Sequence, residues 1–265
     1  MKLTPENYYG SVASGKRLEN FHISITTYKN QVEVPLHSHE NPYVSLNLGC
    51  SYHEIEGNSE IIIQSGEVVY RPSNYEHRNI FSQQNGVCLN IEIIDFSSSH
   101  FKHVFNNVKS KQYDVLMHKV CVAYINNYNF DELDCLIYES LANENEGVSL
   151  SNKIPNWYRK IIDYINDQYT SPITLALLSE AVNAHPNYIS RKFKKINGLT
   201  IGEYIRKVRL ERAFGSLTQQ SSNLTQVSLA HGFYDQSHFS RTFRDTYKST
   251  PKKFTSNYKK LISYN

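Results

Sequence analysis

PNYISRKFKK (Pro186–Lys195) and QSHFSRTFRD (Gln236–Asp245) are near-copies fifty residues apart. Ser190 and Arg191 match Ser240 and Arg241, Phe193 matches Phe243, and Lys194 matches Arg244. Wound as helices, the copies put Ile189, Phe193 and Ile196, and likewise Phe239, Phe243 and Tyr247, on one face. The opposite face of the first carries Asn187, Arg191, Lys194 and Lys195. That of the second carries Ser237, Arg241 and Arg244, with Gln236 at its start. An apolar face to pack and a short-polar-plus-arginine face to present suit a helix that enters a DNA major groove.

The residues ahead of each copy repeat as well. Thr174 is placed to cap a helix Leu175–Val182, and Asn223 to cap its equivalent, Leu224–His231. The turns that follow hold Asn183 in one and Gly232 in the other, both tolerant of a left-handed backbone. The spacing between copies is 49 before the turn and 50 after it, so the elements repeat while the loop varies. A duplicated hairpin used only for packing would not need to repeat an exposed arginine.

On HPNYISRKFKKINGLTIGEYIRKVRLERA (His185–Ala213) and HGFYDQSHFSRTFRDTYKSTPKKF (His231–Phe254), the C-terminal hundred residues resemble the DNA-binding domain of the AraC/XylS transcription regulators. The family carries a Gly-Phe before the second turn and a Thr-Pro after the second recognition helix; Gly232–Phe233 and Thr250–Pro251 stand there. The chain departs from the family at Ser179 and Ser228 (usually Ala), Asn183 (commonly Gly) and Lys248 (usually Gly), none of them groove-facing. The resemblance implies two helix-turn-helix units and base contacts from Asn187, Arg191, Ser237 and Arg241, with Gln236 on an adenine or a phosphate. Arginine pairs with a guanine edge through two parallel hydrogen bonds. Lys194, Lys195 and Arg244, further along, are expected on phosphates. For Arg191 the competing reading is a salt bridge to Glu180.

Charge divides the same way. Residues 151–265 hold 18 Lys and Arg against 7 Asp and Glu, net +11, and the first 150 residues stand at −8. Two domains with different partners are expected, the second polyanionic. Cys50, Cys88, Cys121 and Cys135 show no ligand spacing and read as buried thiols of a reducing cytoplasm. No apolar run reaches the length of a membrane span, so the expectation is a soluble, cytoplasmic protein.

From Phe21 to about Phe96 short apolar stretches alternate with Gly, Pro and Asn, which predicts a β-sandwich or small barrel. Within it, LHSHE (Leu36–Glu40) and GEVVYRPSNYEH (Gly66–His77) resemble the two motifs of the cupin barrel. His37 and His39, two apart on a strand, share a face. His77 from a facing strand completes a possible three-imidazole set for one divalent transition metal. The carboxylate that cupins add four or five residues on is replaced by Tyr43 and Val44. Three readings stay open: a metal on His37, His39 and His77; a metal-free effector pocket of His37, His39, Tyr43 and His77; or histidines with a structural role. His53 and Glu54 are further pocket candidates, each also readable as strand surface.

Phe101 to about Asn143 turns helical, with a break at Asn126–Asn129; in the family such a layer often forms a homodimer. NENEGVSLSNKIP (Asn143–Pro155) reads as a linker. Thr200 to about Leu217 is a long helix that sets the two units about one DNA turn apart, roughly 34 Å. Arg206, Lys207, Arg209 and Arg212 are read on its outer face as phosphate or solvated groups. Lys252–Lys260 is read as a solvated basic terminus. The expected architecture is mixed β plus all-α: a cupin-like effector and dimerisation domain over 1–142 with a helical layer over 97–142, a linker over 143–155, and a tandem helix-turn-helix domain over 156–265. The expected function is a transcription activator, not an enzyme, with promoter DNA, a small-molecule effector, a second copy and RNA polymerase as partners and no membrane. The rivals are a cupin metalloenzyme (dioxygenase or isomerase-like) with a DNA-binding tail, and a constitutive DNA-binding protein whose barrel only dimerises.

Overall fold

The computed structural model describes residues 1–81, 86–94, 111–143, 155–219 and 223–263. Eleven short strands come first: β1 (Lys2–Leu3), β2 (Ser11–Arg17), β3 (Phe21–Tyr28), β4 (Val32–His39), β5 (Tyr43–Asn47), β6 (Tyr52–Glu56), β7 (Ser59–Ile63), β8 (Glu67–Arg71), β9 (His77–Phe81), β10 (Gly86–Ile93) and β11 (Gln112–Tyr113). They form a five-stranded sheet ordered β1-β4-β9-β6-β7 and a six-stranded sheet ordered β11-β8-β5-β10-β3-β2.

Period-two alternation decides what each face meets. On the six-stranded sheet Ile23, Ile25, Val44, Leu46, Leu89, Ile91 and Ile93 point into the main core with the helices. The alternate residues point between the sheets, where Val34, Tyr52, Ile63, Val69, Phe81 and Cys88 form a smaller apolar cluster. Polar residues fill other positions of that inner face, and three of them form a chain: Ser45 donates to Asn90 Oδ1 at 2.8 Å, and Asn90 donates to Thr26 Oγ1 at 3.0 Å. Strand β10, covered on both faces, is buried along its whole length.

Helices α1 (Val115–Ile125) and α2 (Phe130–Asn143) pack on the outer face of the six-stranded sheet. The helical layer expected over 97–142 begins later within the described residues. Gln112 and Tyr113 first extend the sheet beside β8, and Asp114 then caps α1, accepting from Leu116 N at 2.7 Å. The other carboxylate oxygen of Asp114 accepts from the Tyr70 hydroxyl at 2.7 Å, which ties the cap to β8. The break at Asn126–Asn129 falls where expected, with Asn127 left-handed (φ 57°). Residues 97–110 and, of the expected linker, 144–154 lie outside the described residues.

The C-terminal part is helical: α3 (Asn156–Gln168), α4 (Leu175–Val182), α5 (Pro186–Asn197), α6 (Ile201–Leu217), α7 (Leu224–Ala230), α8 (Gln236–Tyr247) and α9 (Pro251–Ser263). Thr174 and Asn223 cap α4 and α7 as expected, and Thr200 forms a capping box with Glu203 at the start of α6. α6 belongs to two cores. Its first half supplies Ile201, Ile205 and Val208 to a cluster with Ile161, Ile165, Leu178, Ile189 and Phe193, which holds the first helix-turn-helix unit together. Its second half supplies Leu210, Ala213, Phe214 and Leu217 to the main core, alongside Phe239, Phe243 and Phe254 of the second unit and the sheet itself. The second unit is thereby docked on the β domain.

Polar contacts fix that docking. His118 of α1 stacks on Phe214 with ring centroids 4.0 Å apart, and its Nε2 lies 2.8 Å from Gly66 O. Gly215 passes so close to the β7–β8 turn that a Cβ there would stand 2.3 Å from Ser65 O. The segment Lys252–Lys260, read as a solvated terminus, is instead the body of α9. Pro251, Phe254 and Tyr258 at helical spacing are buried, and the Tyr258 hydroxyl donates to Leu48 O at 3.2 Å. The cysteines are not uniformly buried either: Cys88 and Cys121 are, Cys50 is half-buried and Cys135 is exposed. Among the described residues no helix is long and apolar enough to cross a membrane.

Candidate functional site

Asn187, Arg191, Lys194 and Lys195 of α5, and Gln236, Ser237, Arg241 and Arg244 of α8, are all exposed. The sequence repeat builds this in the same way twice. Buried Ile189 and Phe193, and buried Phe239 and Phe243, anchor the inner faces and turn the polar faces out. Helix α5 starts at Pro186 behind a His185 cap; α8 starts behind Asp235, whose carboxylate accepts from His238 N at 2.7 Å. Beside α5 lies an open groove of about 530 Å³ lined by Asn187, Ser190, Arg191, Lys194, Lys195 and Thr200.

Among the described residues no carboxylate stands within ion-pair distance of Arg191 or Arg241, so the bridge from Arg191 to Glu180 is not formed. Gln236 is aimed by its neighbour: the Thr225 hydroxyl donates to its Oε1 at 2.8 Å, leaving the amide N–H groups to point elsewhere. The field at the start of α8 is positive. Burial lowers the His238 pKa first, and the charges of Arg206 and Arg241 lower it further. Tyr188 and Tyr234, 42% and 87% exposed, stand beside these residues and were not singled out from the sequence. Their only sequence signal is a large aromatic where the inner-face pattern leaves no room for one.

Three of the four α6 cations are not on an outer face. Arg209 donates to Tyr169 O (2.7 Å) and Ser171 O (2.8 Å), Lys207 pairs with Glu211 (2.9 Å), and Arg212 lies over Tyr113. Because α6 is packed by one unit along its first half and by the β domain along its second, only Arg206 is left exposed.

The β-domain histidines do converge. Strand β4 pairs Val34 with Asn79 and then His37 with His77, so it carries one extra residue, a bulge at Pro35–Leu36. Proline suits that position because it has no N–H to leave unpaired. The bulge turns His37 and His39 inward, and His77 meets them from the adjacent strand of the same sheet rather than from a facing one. The nearest ring nitrogens of all three lie within 4.8 Å of one another. His37 Nδ1 is 2.8 Å from Pro35 O and His77 Nδ1 is 3.2 Å from Tyr75 O. A carbonyl only accepts, so both Nδ1 atoms carry the proton and both Nε2 atoms present lone pairs. The Tyr43 hydroxyl, 3.1 Å away, donates to His77 Nε2. Burial, reinforced by mutual repulsion, pushes His39 down to about 4 and His77 to about 2, so the rings are neutral.

The space they enclose is about 30 Å³. A volume of that order holds one water or one ion. Glu54, read from the sequence as a candidate, lines this cavity, where buried Arg71 donates to it from Nε at 2.8 Å. Burial pushes the Glu54 carboxyl upward and Arg71 pulls it back. His53, one residue earlier, points outward to Glu60. Arg71 went unnoticed in the sequence: it sits on a strand whose every residue is buried, and the apolar run around it hid the charge.

Residues 178–257 match the family model described as a helix-turn-helix domain. Over 101 residues the chain is 32% identical to YijO of Escherichia coli, described as an uncharacterized HTH-type transcriptional regulator, covering 38% of this chain and 36% of that protein. Over 117 residues it is 30% identical to AdaA of Bacillus subtilis, described as a bifunctional transcriptional activator and DNA repair enzyme, covering 43% of this chain and 56% of AdaA. The matches thus span less than two thirds of these relatives. Among solved structures, ToxT from Vibrio cholerae aligns over 90% of this chain and 98% of its own, at 13% identity and a TM-score of 0.38.

Proposed function

We propose, from the helix-turn-helix domain over residues 178–257, that the chain is a sequence-specific DNA-binding transcription regulator of the AraC/XylS type, an activator governed by its cupin-like β domain. The observation that carries it is the pair of exposed, unpaired arginines, Arg191 and Arg241, at equivalent positions of two outward-facing helices. The positive charge of the C-terminal half supports it, since phosphate attraction supplies most of the affinity for DNA of any sequence. Alanine at Arg191 or Arg241 removes a bidentate base contact worth about 1–3 kcal/mol, so binding to a selected DNA site weakens roughly tenfold or more while binding to random DNA changes little. Equal losses on both DNAs would reduce the arginines to phosphate contacts.

Within the β domain we infer that His37, His39 and His77 hold one divalent transition metal. The donor chemistry fits: three neutral imidazoles, two with their tautomer fixed by a backbone carbonyl, around an ion-sized space. A metal would supply cross-linking of β4 to β9. A space of about 30 Å³ favours a single ion over an organic effector or a metalloenzyme substrate. Purified full-length protein should carry near-stoichiometric metal, lost in His37→Ala and in His77→Ala; metal-free parent protein would leave the imidazoles as hydrogen-bonding groups alone.

A further inference from the structure

The β domain and α6 do not meet everywhere. Where they part, a cleft of about 470 Å³ opens between the β7–β8 turn, β11, the end of α3 and the last turns of α6. Its volume lies in the ordinary range of small-molecule sites, which favour domain junctions. Among the described residues no carboxylate lines it.

One cation does. The Arg212 guanidinium lies 4.1 Å from the Tyr113 ring centroid and 5.8 Å from that of Tyr169. Among the described residues no acidic group is within ion-pair distance of it. The two aromatic faces hold the group in place without neutralising it. Arg209, by binding Tyr169 O, fixes the Tyr169 side of this arrangement to α6.

Neutral hydrogen-bonding groups surround that charge. His231 is neutral, held down to about 4 by burial and by Arg212. Its Nδ1 is buried without a partner among the described residues, and its Nε2 is 2.8 Å from Ser216 Oγ. A buried N–H lacking an acceptor is the rarer arrangement, so the proton sits on Nε2 and is donated to Ser216. The Ser216 hydroxyl proton is then free for an occupant. Gln219 spreads its amide N–H groups over Gly49 O and Ser65 Oγ, both at 3.3 Å, while its Oε1 has no partner among the described residues. The cleft therefore offers one unneutralised cation, a free hydroxyl donor, a free amide acceptor and aromatic faces.

We propose that this cleft binds a small hydroxylated monoanion of about monosaccharide size, its carboxylate or phosphate on Arg212 and its hydroxyls on Ser216 and Gln219. A ligand there touches the β domain, the end of α3 and α6 at once. The site does not rest on the DNA-binding reading, and its test involves no DNA. The full chain is titrated calorimetrically with D-gluconate, D-glucuronate, D-glucose 6-phosphate, inorganic phosphate and D-glucose. The expected result is one-to-one binding of a hydroxylated anion with a Kd below about 1 mM, at least about tenfold tighter than inorganic phosphate or glucose. Whether the sugar acids or the sugar phosphate bind tells carboxylate from phosphate. Arg212→Gln should weaken that binding about tenfold or more, Gln219→Ala should weaken it less, and Lys29→Gln, on the exposed surface, should leave it unchanged. Gln219→Ala carries the test if Arg212→Gln fails to fold. The proposal is overturned if none of the three hydroxylated anions binds, if both cleft variants bind as the parent does, or if inorganic phosphate binds equally well, which would mark an adventitious ion only.

Discussion

The two helix-turn-helix units share a sequence pattern and differ in what lies behind them. The first closes its own small core around Ile161, Ile189 and Phe193 and meets the rest of the molecule chiefly through α6 and the end of α3. The second has no core of its own: Phe239, Phe243 and Phe254 are continuous with the β-sheet and α1. Their turns register the difference. At Asn183 (φ 49°) the first turn is exposed and a side chain is tolerated. At Gly232 (φ 76°) a Cβ would stand 2.8 Å from Tyr169 O and 2.9 Å from Thr170 O, so only glycine fits. A change in the β domain thus acts on the second unit through shared side chains, and on the first only through a helix and one junction.

The largest test of that contrast is Gly215→Val. The added side chain meets Ser65 backbone that cannot yield without moving the β7–β8 turn. Overpacking of this kind costs about 3 kcal/mol. The second unit and the β domain should lose stability together, while the first unit, followed by the fluorescence of Trp157, the chain's one tryptophan, should melt almost unchanged. Equal destabilisation of both units would mean that they form one cooperative block.

A smaller effect comes from pH. His118 is wholly buried, and burial is the main reason its pKa falls from the ordinary 6.5 to about 4; Lys207 adds to the fall and Gly66 O opposes it. Phe214 and the Tyr247 hydroxyl face the ring from the second unit. The unfolded chain therefore takes up this proton first. The contribution is fully present above about pH 6.5 and is lost as pH falls towards 4, about 2 kcal/mol being gone at pH 5. Urea melts of the parent should drop by about that much more than those of His118→Gln between pH 7 and pH 5. Parallel losses would remove His118 from the docking.

Much of this was legible in the sequence. Duplicated motifs, caps at Thr174 and Asn223, and left-handed turns are local properties, and local chemistry decides them. His37 and His39 were legible because HxH spacing fixes a shared face, and His77 through its resemblance to the second cupin motif. What escaped was set by contacts distant in the chain. Nothing near Lys252–Lys260 announces that Phe254 and Tyr258 meet the outer sheet. Nothing near Arg209 or Arg212 announces that Tyr169 and Tyr113 claim them. Lys248 is an intermediate case: it takes the left-handed conformation (φ 54°) at a position where the motif it resembles usually has glycine, so the backbone requirement was visible in the motif though not in the residue.

The bond from Tyr258 to Leu48 spans 210 positions of chain. During synthesis the sheet face that holds Leu48 emerges early, and the aromatic residues that cover it arrive some two hundred residues later. At roughly 5–20 residues per second, that face stays open for ten seconds or more in every nascent copy. The interval in which this protein is most exposed to aggregation and to chaperone capture is therefore set by the distance along the chain between its sheet and its second helix-turn-helix unit.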